Sequence, residues 1–120
     1  MKLNSVTTPE LLARYRAAAL IHGAASHDGR PRLANRNADV VGAIYRELRS
    51  RGPEAQRTLL ALLNDGEPAV RVWAASHALE FAPADGERVL ESVVKDGARF
   101  HSFTAKMVLD EWRKGNLSFP

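Results

Sequence analysis

Along this chain apolar residues recur at the helical interval of three and four rather than alternating, and proline or glycine interrupts them at regular distances. Thr7-Thr8-Pro9-Glu10 reads as a helix start, with a threonine cap, proline in the first turn and Glu10 placed to complete a capping box. Leu11, Tyr15, Ala18, Ala19 and His22 then share one face, and Gly23 to Arg30 reads as a turn with Asp28-Gly29 as the breaker. A second helix is predicted over about 32–51, with Leu33, Asn37, Val40, Ile44 and Leu48 on one stripe, widened by Val41 and Tyr45. Gly52 ends it and Pro53 opens a third, running to about Leu63. A fourth is expected from Pro68 to about Phe81, apolar over most of its circumference. Pro83 opens a fifth, Asp96-Gly97 turns the chain, and a sixth covers about 98–114 until Gly115. Leu117 and Phe119 in the short tail could pin it to the core.

A shift of 31 residues superimposes part of this pattern on itself: Leu59, Leu62 and Leu63 fall on Leu90, Val93 and Val94, and Asp65-Gly66 on Asp96-Gly97. Val72 falls on Phe103, Ala74 on Ala105, Ala78 on Leu109, and Phe81 on Trp112, all as core positions. Two helix–turn–helix units thus share turn chemistry, while the first pair does not align and reads as a cap. Such pairs cannot bury their apolar faces alone. The expected architecture is all-α, an α–α superhelix of about three stacked antiparallel helix pairs in one domain, 1–120.

The stretch Asp65-x-x-Pro68-x-Val70-Arg71-x-x-Ala74-Ala75-x-x-Ala78-Leu79 resembles the signature of short HEAT-type repeats, in which the aspartate and arginine brace neighbouring turns. The resemblance makes Arg71 structural. Ile44 to Arg49, Val70 to Pro83 and Glu111 to Gly115 resemble an uncharacterised bacterial HEAT-like family of domains of unknown function, number two thousand and nineteen. That likeness implies a fold and no activity. HEAT-like proteins are mostly protein-binding scaffolds; a few bind nucleic acid, and some small bacterial ones have been proposed as immunity proteins for toxins.

Composition narrows the chemistry. The chain has no cysteine, which excludes disulfides, thiolate catalysis and cysteine-bound zinc. Its longest apolar runs, Ala17 to Ile21 and Leu59 to Leu63, fall far short of the roughly 20 residues of a membrane span, and no signal-like stretch follows the first residues. A cytoplasmic protein with no membrane partner is the expectation. The formal charge is +3, divided unevenly: residues 1–52 hold nine Lys/Arg against four Asp/Glu, and residues 53–120 eight against ten. Arginine outnumbers lysine thirteen to four, which suits bidentate contacts to carboxylate or phosphate and equally a GC-rich genome.

Catalytic readings find no support. Ser26-His27-Asp28 has the residue types of a hydrolase triad, but three consecutive residues cannot converge as a triad must. His77-x-x-Glu80 lacks the second pair and further carboxylates of a bundle metal site, and His22 and His101 have no partner nearby in sequence. Gly23 to Gly29 lacks the Lys-Ser/Thr of a phosphate loop. Glu87 and Glu91 are like charges one turn apart on an exposed face. The expectation is a non-enzyme with no cofactor and no metal.

Two surfaces remain. Outward positions of the fourth and sixth helices are Trp73, Ser76 and Glu80, matched by Thr104, Met107 and Glu111, and could form a protein-binding patch. Trp73 reads alternatively as a core residue between helix pairs. On the second helix Arg32, Arg36, Arg46 and Arg49 lie opposite the apolar stripe, with Arg30 and Arg51 at its ends and Asp39 and Glu47 diluting them. As a nucleic-acid patch this would bind weakly, without sequence preference and with strong salt dependence. The sequence-level expectation is a protein-binding module, immunity-like by fold analogy, using the second, fourth and sixth helices, with a basic end at Arg46 and Arg49 and an acidic end at Glu80 and Glu111. Nucleic-acid binding through the arginine face is the alternative. Both monomer and homodimer remain open.

Overall fold

The computed structural model describes residues 2–96 and 99–120, and every element in it is helical. The chain divides into two compact units, Met1–Leu59 and Leu60–Pro120.

The first unit is built on two 20-residue helices, α1 (Thr8–His27) and α2 (Pro31–Ser50), packed side by side. Thr7 Oγ1 accepts the Glu10 amide at 3.3 Å and so caps α1. The Glu10 carboxylate turns to Arg14 Nε instead, also at 3.3 Å. Contrary to the turn expected from Gly23 to Arg30, α1 continues through Gly23, which is buried. A helical glycine costs only about 1 kcal/mol against alanine, and Ala24 and Ala25 carry the helix on. The real stop is Gly29, at φ +69°, where the Arg30 amide donates back to Ala25 O at 2.8 Å. Leu11, Tyr15, Ala18, Ala19 and Ala25 of α1 are buried, as are Ala34, Val41, Ile44, Tyr45 and Leu48 of α2. Asn37 shares that buried stripe because its Nδ2 donates to Leu33 O at 3.0 Å, satisfying it within its own helix.

Gly52 (φ +110°) ends α2, and α3 (Pro53–Arg57) follows. The expected helix to Leu63 is α-helical only this far; Thr58–Asn64 tightens into a 3₁₀ turn. The Thr58 hydroxyl bonds Ala55 O at 2.5 Å, a back-bond that competes with helical bonding.

The second unit contains α4 (Pro68–Ala78), α5 (Pro83–Lys95) and α6 (Arg99–Arg113), each packed against the other two. The α4 helix stops three residues short of Phe81. Arg71 Nη1 donates to Asp65 O at 2.8 Å and Nη2 to Asp96 Oδ2 at 3.3 Å, tying the turn before α4 to the end of α5. The expected glycine of the Asp96-Gly97 turn, and Ala98 as the first residue of the last helix, lie outside the described residues. Gly115 (φ +77°) closes α6, with the Asn116 amide bonded to Glu111 O at 2.9 Å. The tail folds back so that the Phe119 ring meets Trp112 edge-on at 6.3 Å.

Candidate functional site

The orientation of α6 is set by what it gives to α5. Ala105 and Leu109 are buried, the Trp112 indole donates to Glu87 Oε1 at 2.7 Å, and Arg113 pairs with Glu91. At the other end the Ser102 hydroxyl bonds Val94 O at 2.8 Å. Glu87 and Glu91 therefore hold α6 in place. With that side committed, Phe100, Phe103 and Met107 project away together, 36%, 65% and 52% exposed. Their i, i+3, i+7 spacing makes one continuous stripe.

This corrects the expectation that Phe103 is a core residue equivalent to Val72. Val72 is 6% exposed. Helix α4 buries five of its eleven residues, whereas α6 buries only Ala105 and Leu109 of fifteen.

Of the expected protein-binding residues, Met107 and Glu111 are exposed on α6 beside Phe103, and Glu80 is exposed just beyond α4. Ser76 and Thr104 are half-buried, and each hydroxyl donates its proton to its own helix, to Val72 O at 2.6 Å and to Phe100 O at 3.2 Å. Trp73 is half-buried, its ring 5.9 Å from that of His77. The aromatic content of the exposed surface thus lies at Phe100 and Phe103, which the sequence reading did not select. A helical projection placing them opposite Ala105, Leu109 and Trp112 carries that signal.

On α2, Arg32, Arg36 and Arg46 are exposed, while Arg49 is half-buried with its guanidinium 5.6 Å from the Tyr45 ring centre. None of Arg30, Arg32, Arg36 and Arg46 forms an ion pair with a described residue. Arg30, Arg32 and Arg36 border a shallow depression with Pro31 and Leu33. Arg51, grouped with this face in the sequence, turns away from it. Its side chain bonds Glu47 Oε2 at 2.8 Å, Thr8 Oγ1 at 3.2 Å, Leu3 O at 2.9 Å and Val6 O at 2.6 Å. Glu47 is thereby engaged, leaving Asp39 as the acidic residue set among the free arginines.

His27 Nδ1 and Asp28 Oδ1 lie 3.3 Å apart on open surface, 75% and 63% exposed. Among the described residues no three His, Asp or Glu side chains gather as metal ligands. Burial raises the Tyr15 phenol well above its usual value of 10.0, with a smaller contribution from Tyr45. Burial also lowers His22 below its usual 6.5. The unfolded chain therefore takes up that proton first, and stability present above pH 6.5 is expected to fall as the solution is acidified through the folded-state value. His22→Gln should flatten this part of the stability–pH curve; an unchanged slope would remove His22 as its source.

No helix among the described residues is long and apolar enough to cross a membrane. No curated protein matches the chain. The crystal structure of the protein RPA1889 from Rhodopseudomonas palustris CGA009 is similar, with 26% sequence identity, a TM-score of 0.91 and coverage of 98% of both chains. The family model described as "Domain of unknown function (DUF2019)" matches residues 9–112. With nearly the whole helical region matched, this chain belongs to the DUF2019 family.

Proposed function

We propose that this chain is a non-enzymatic, HEAT-like protein-binding module whose anchor is the exposed stripe of α6. The observation that carries this reading is Phe103, 65% exposed and flanked on the same side of one helix by Phe100 and Met107. Exposing large apolar side chains singly is ordinary, but a contiguous group rimmed by charge marks an interaction surface. Glu111 follows the stripe and Lys106 and Asp110 border it, giving the apolar centre and polar rim of a protein interface. An immunity-type role, masking a toxin, is one form such a module could take.

A second reading rests on the α2 arginines. The guanidinium groups of Arg30, at the start of α2, and of Arg32, Arg36 and Arg46 form no ion pair with a described residue and suit a polyanion, and Tyr45, 2% exposed, offers no ring for base stacking. Binding there would be to nucleic-acid phosphates, weak and salt-sensitive.

One experiment separates the two. A photo-cross-linking amino acid is placed at position 103 or at position 36 and activated in lysate of the source cells with and without nuclease. The protein-binding reading expects a discrete protein adduct from position 103 that survives nuclease and falls about thirtyfold with Met107→Glu. Adducts at position 36 alone, lost on nuclease treatment, would instead establish the arginine face and remove the leading reading.

A further inference from the structure

The charges beside the α6 stripe are arranged for self-recognition. Arg99 and Asp110 stand eleven residues apart, about three helical turns, and so fall on the same flank of the stripe roughly 16 Å from each other. The flank thus carries an arginine at its beginning and, near its end, a carboxylate whose partner is Lys106 of the same helix. Arg99 forms no ion pair with a described residue, and Asp110, 47% exposed, pairs among the described residues with Lys106, at 3.1 Å on open surface.

We propose that the occupant of the stripe is a second copy of this chain, bound antiparallel through α6 about a two-fold axis near residue 105. This rests on the reading of α6 as the binding face and names its partner. In an antiparallel pair, side chains on one flank face the same flank of the other helix. Arg99 then meets Asp110 of the second copy, and the reciprocal pair forms by symmetry. The same register sets Phe103 opposite Met107 of the second copy, so the apolar centre closes on itself.

The three side chains expose on the order of 300 Å², from typical areas of 150–250 Å² for large residues. That is below the roughly 800 Å² per partner of a standard stable interface. The dimer is therefore weak and reversible, forming at high local concentration.

Sedimentation equilibrium of the full chain, from about 10 μM to about 1 mM, tests this directly. A monomer–dimer equilibrium is expected within that range. Phe103→Glu should abolish it, with an unchanged circular dichroism melt because the side chain is exposed. Arg99→Asp or Asp110→Arg alone should each weaken association about tenfold, and the double reversal Arg99→Asp/Asp110→Arg should restore it. A wild-type chain that stays monomeric throughout overturns the self-pairing, as does a dimer indifferent to these substitutions. Neither result touches a nuclease-resistant adduct to a different protein at position 103, so the binding reading stands or falls separately.

Discussion

Replacing Arg51 with alanine is expected to lower the unfolding free energy by about 3 kcal/mol, measured by urea denaturation, and the melting temperature by about 10 °C. The side chain closes four hydrogen bonds in one fork. It accepts no proton in return, so every partner it leaves is an oxygen: the Glu47 carboxylate, the Thr8 hydroxyl and the carbonyls of Leu3 and Val6. Hydrogen bonds to a charged group contribute about 1.5–3 kcal/mol each but do not add. With 21% of the side chain exposed, water screens part of the sum. Leu3 is 7% exposed and sits in the segment that Arg51 ties down, so its burial depends on the same contact. Arg51→Lys should recover little, because an ammonium is one point charge and cannot reach carboxylate, hydroxyl and two carbonyls in a plane. A loss below about 1 kcal/mol would show that the fork behaves as an ordinary surface pair.

Gly86→Ala is expected to cost about 2 kcal/mol despite improving helix propensity by close to 1 kcal/mol. Gly86 lies buried in α5, and a Cβ there would stand 2.7 Å from Ala75 O, 2.9 Å from Leu79 Cδ2 and 3.1 Å from Leu79 N. Two of the three are backbone atoms, which cannot swing aside; α4 and α5 would have to separate, loosening the packing of Leu79, Val89 and Leu90. Gly42→Ala supplies the internal control. The nearest atom to its Cβ is Nη1 of Arg46, at 3.3 Å on a flexible side chain, so the same substitution should stabilise by about 0.5–1 kcal/mol. Both are read from denaturant midpoints. Equal effects of one sign would mean that propensity, and not close helix approach, governs these positions.

Much of the architecture was legible in local chemistry. Pro53, Pro68 and Pro83 each occupy the first turn of a helix, where a missing amide costs nothing. Gly52 and Gly115 hold positive φ at helix ends, as their positions after the last apolar residues implied. The buried stripe of α2 follows the spacing of Ile44 and Leu48, and Arg71 bonds Asp65 O and Asp96 Oδ2. Local signals misled where two structures satisfy the same residues. Gly23 reads equally as a turn or a tolerated helical glycine, and the leucines of 59–63 suit a 3₁₀ turn as readily as an α-helix.

The candidate site was legible only in outline. The 31-residue shift places Met107 and Glu111 facing outward but sets Phe103 in the core by analogy with Val72. Periodicity gives the two faces of a helix and not which one its neighbours cover. Arg51 likewise belongs to a basic helix by sequence, yet its direction depends on carbonyls 45 and 48 residues away. By itself the sequence determined that this chain is helical, where most helices start and stop, and which residues lack the chemistry for thiol, disulfide or phosphate-loop function. The tertiary structure alone decided which stripe of α6 is left open, which arginines are free to meet a partner, and which glycine cannot be replaced. Those depend on distances between segments remote in sequence, and no local propensity encodes them.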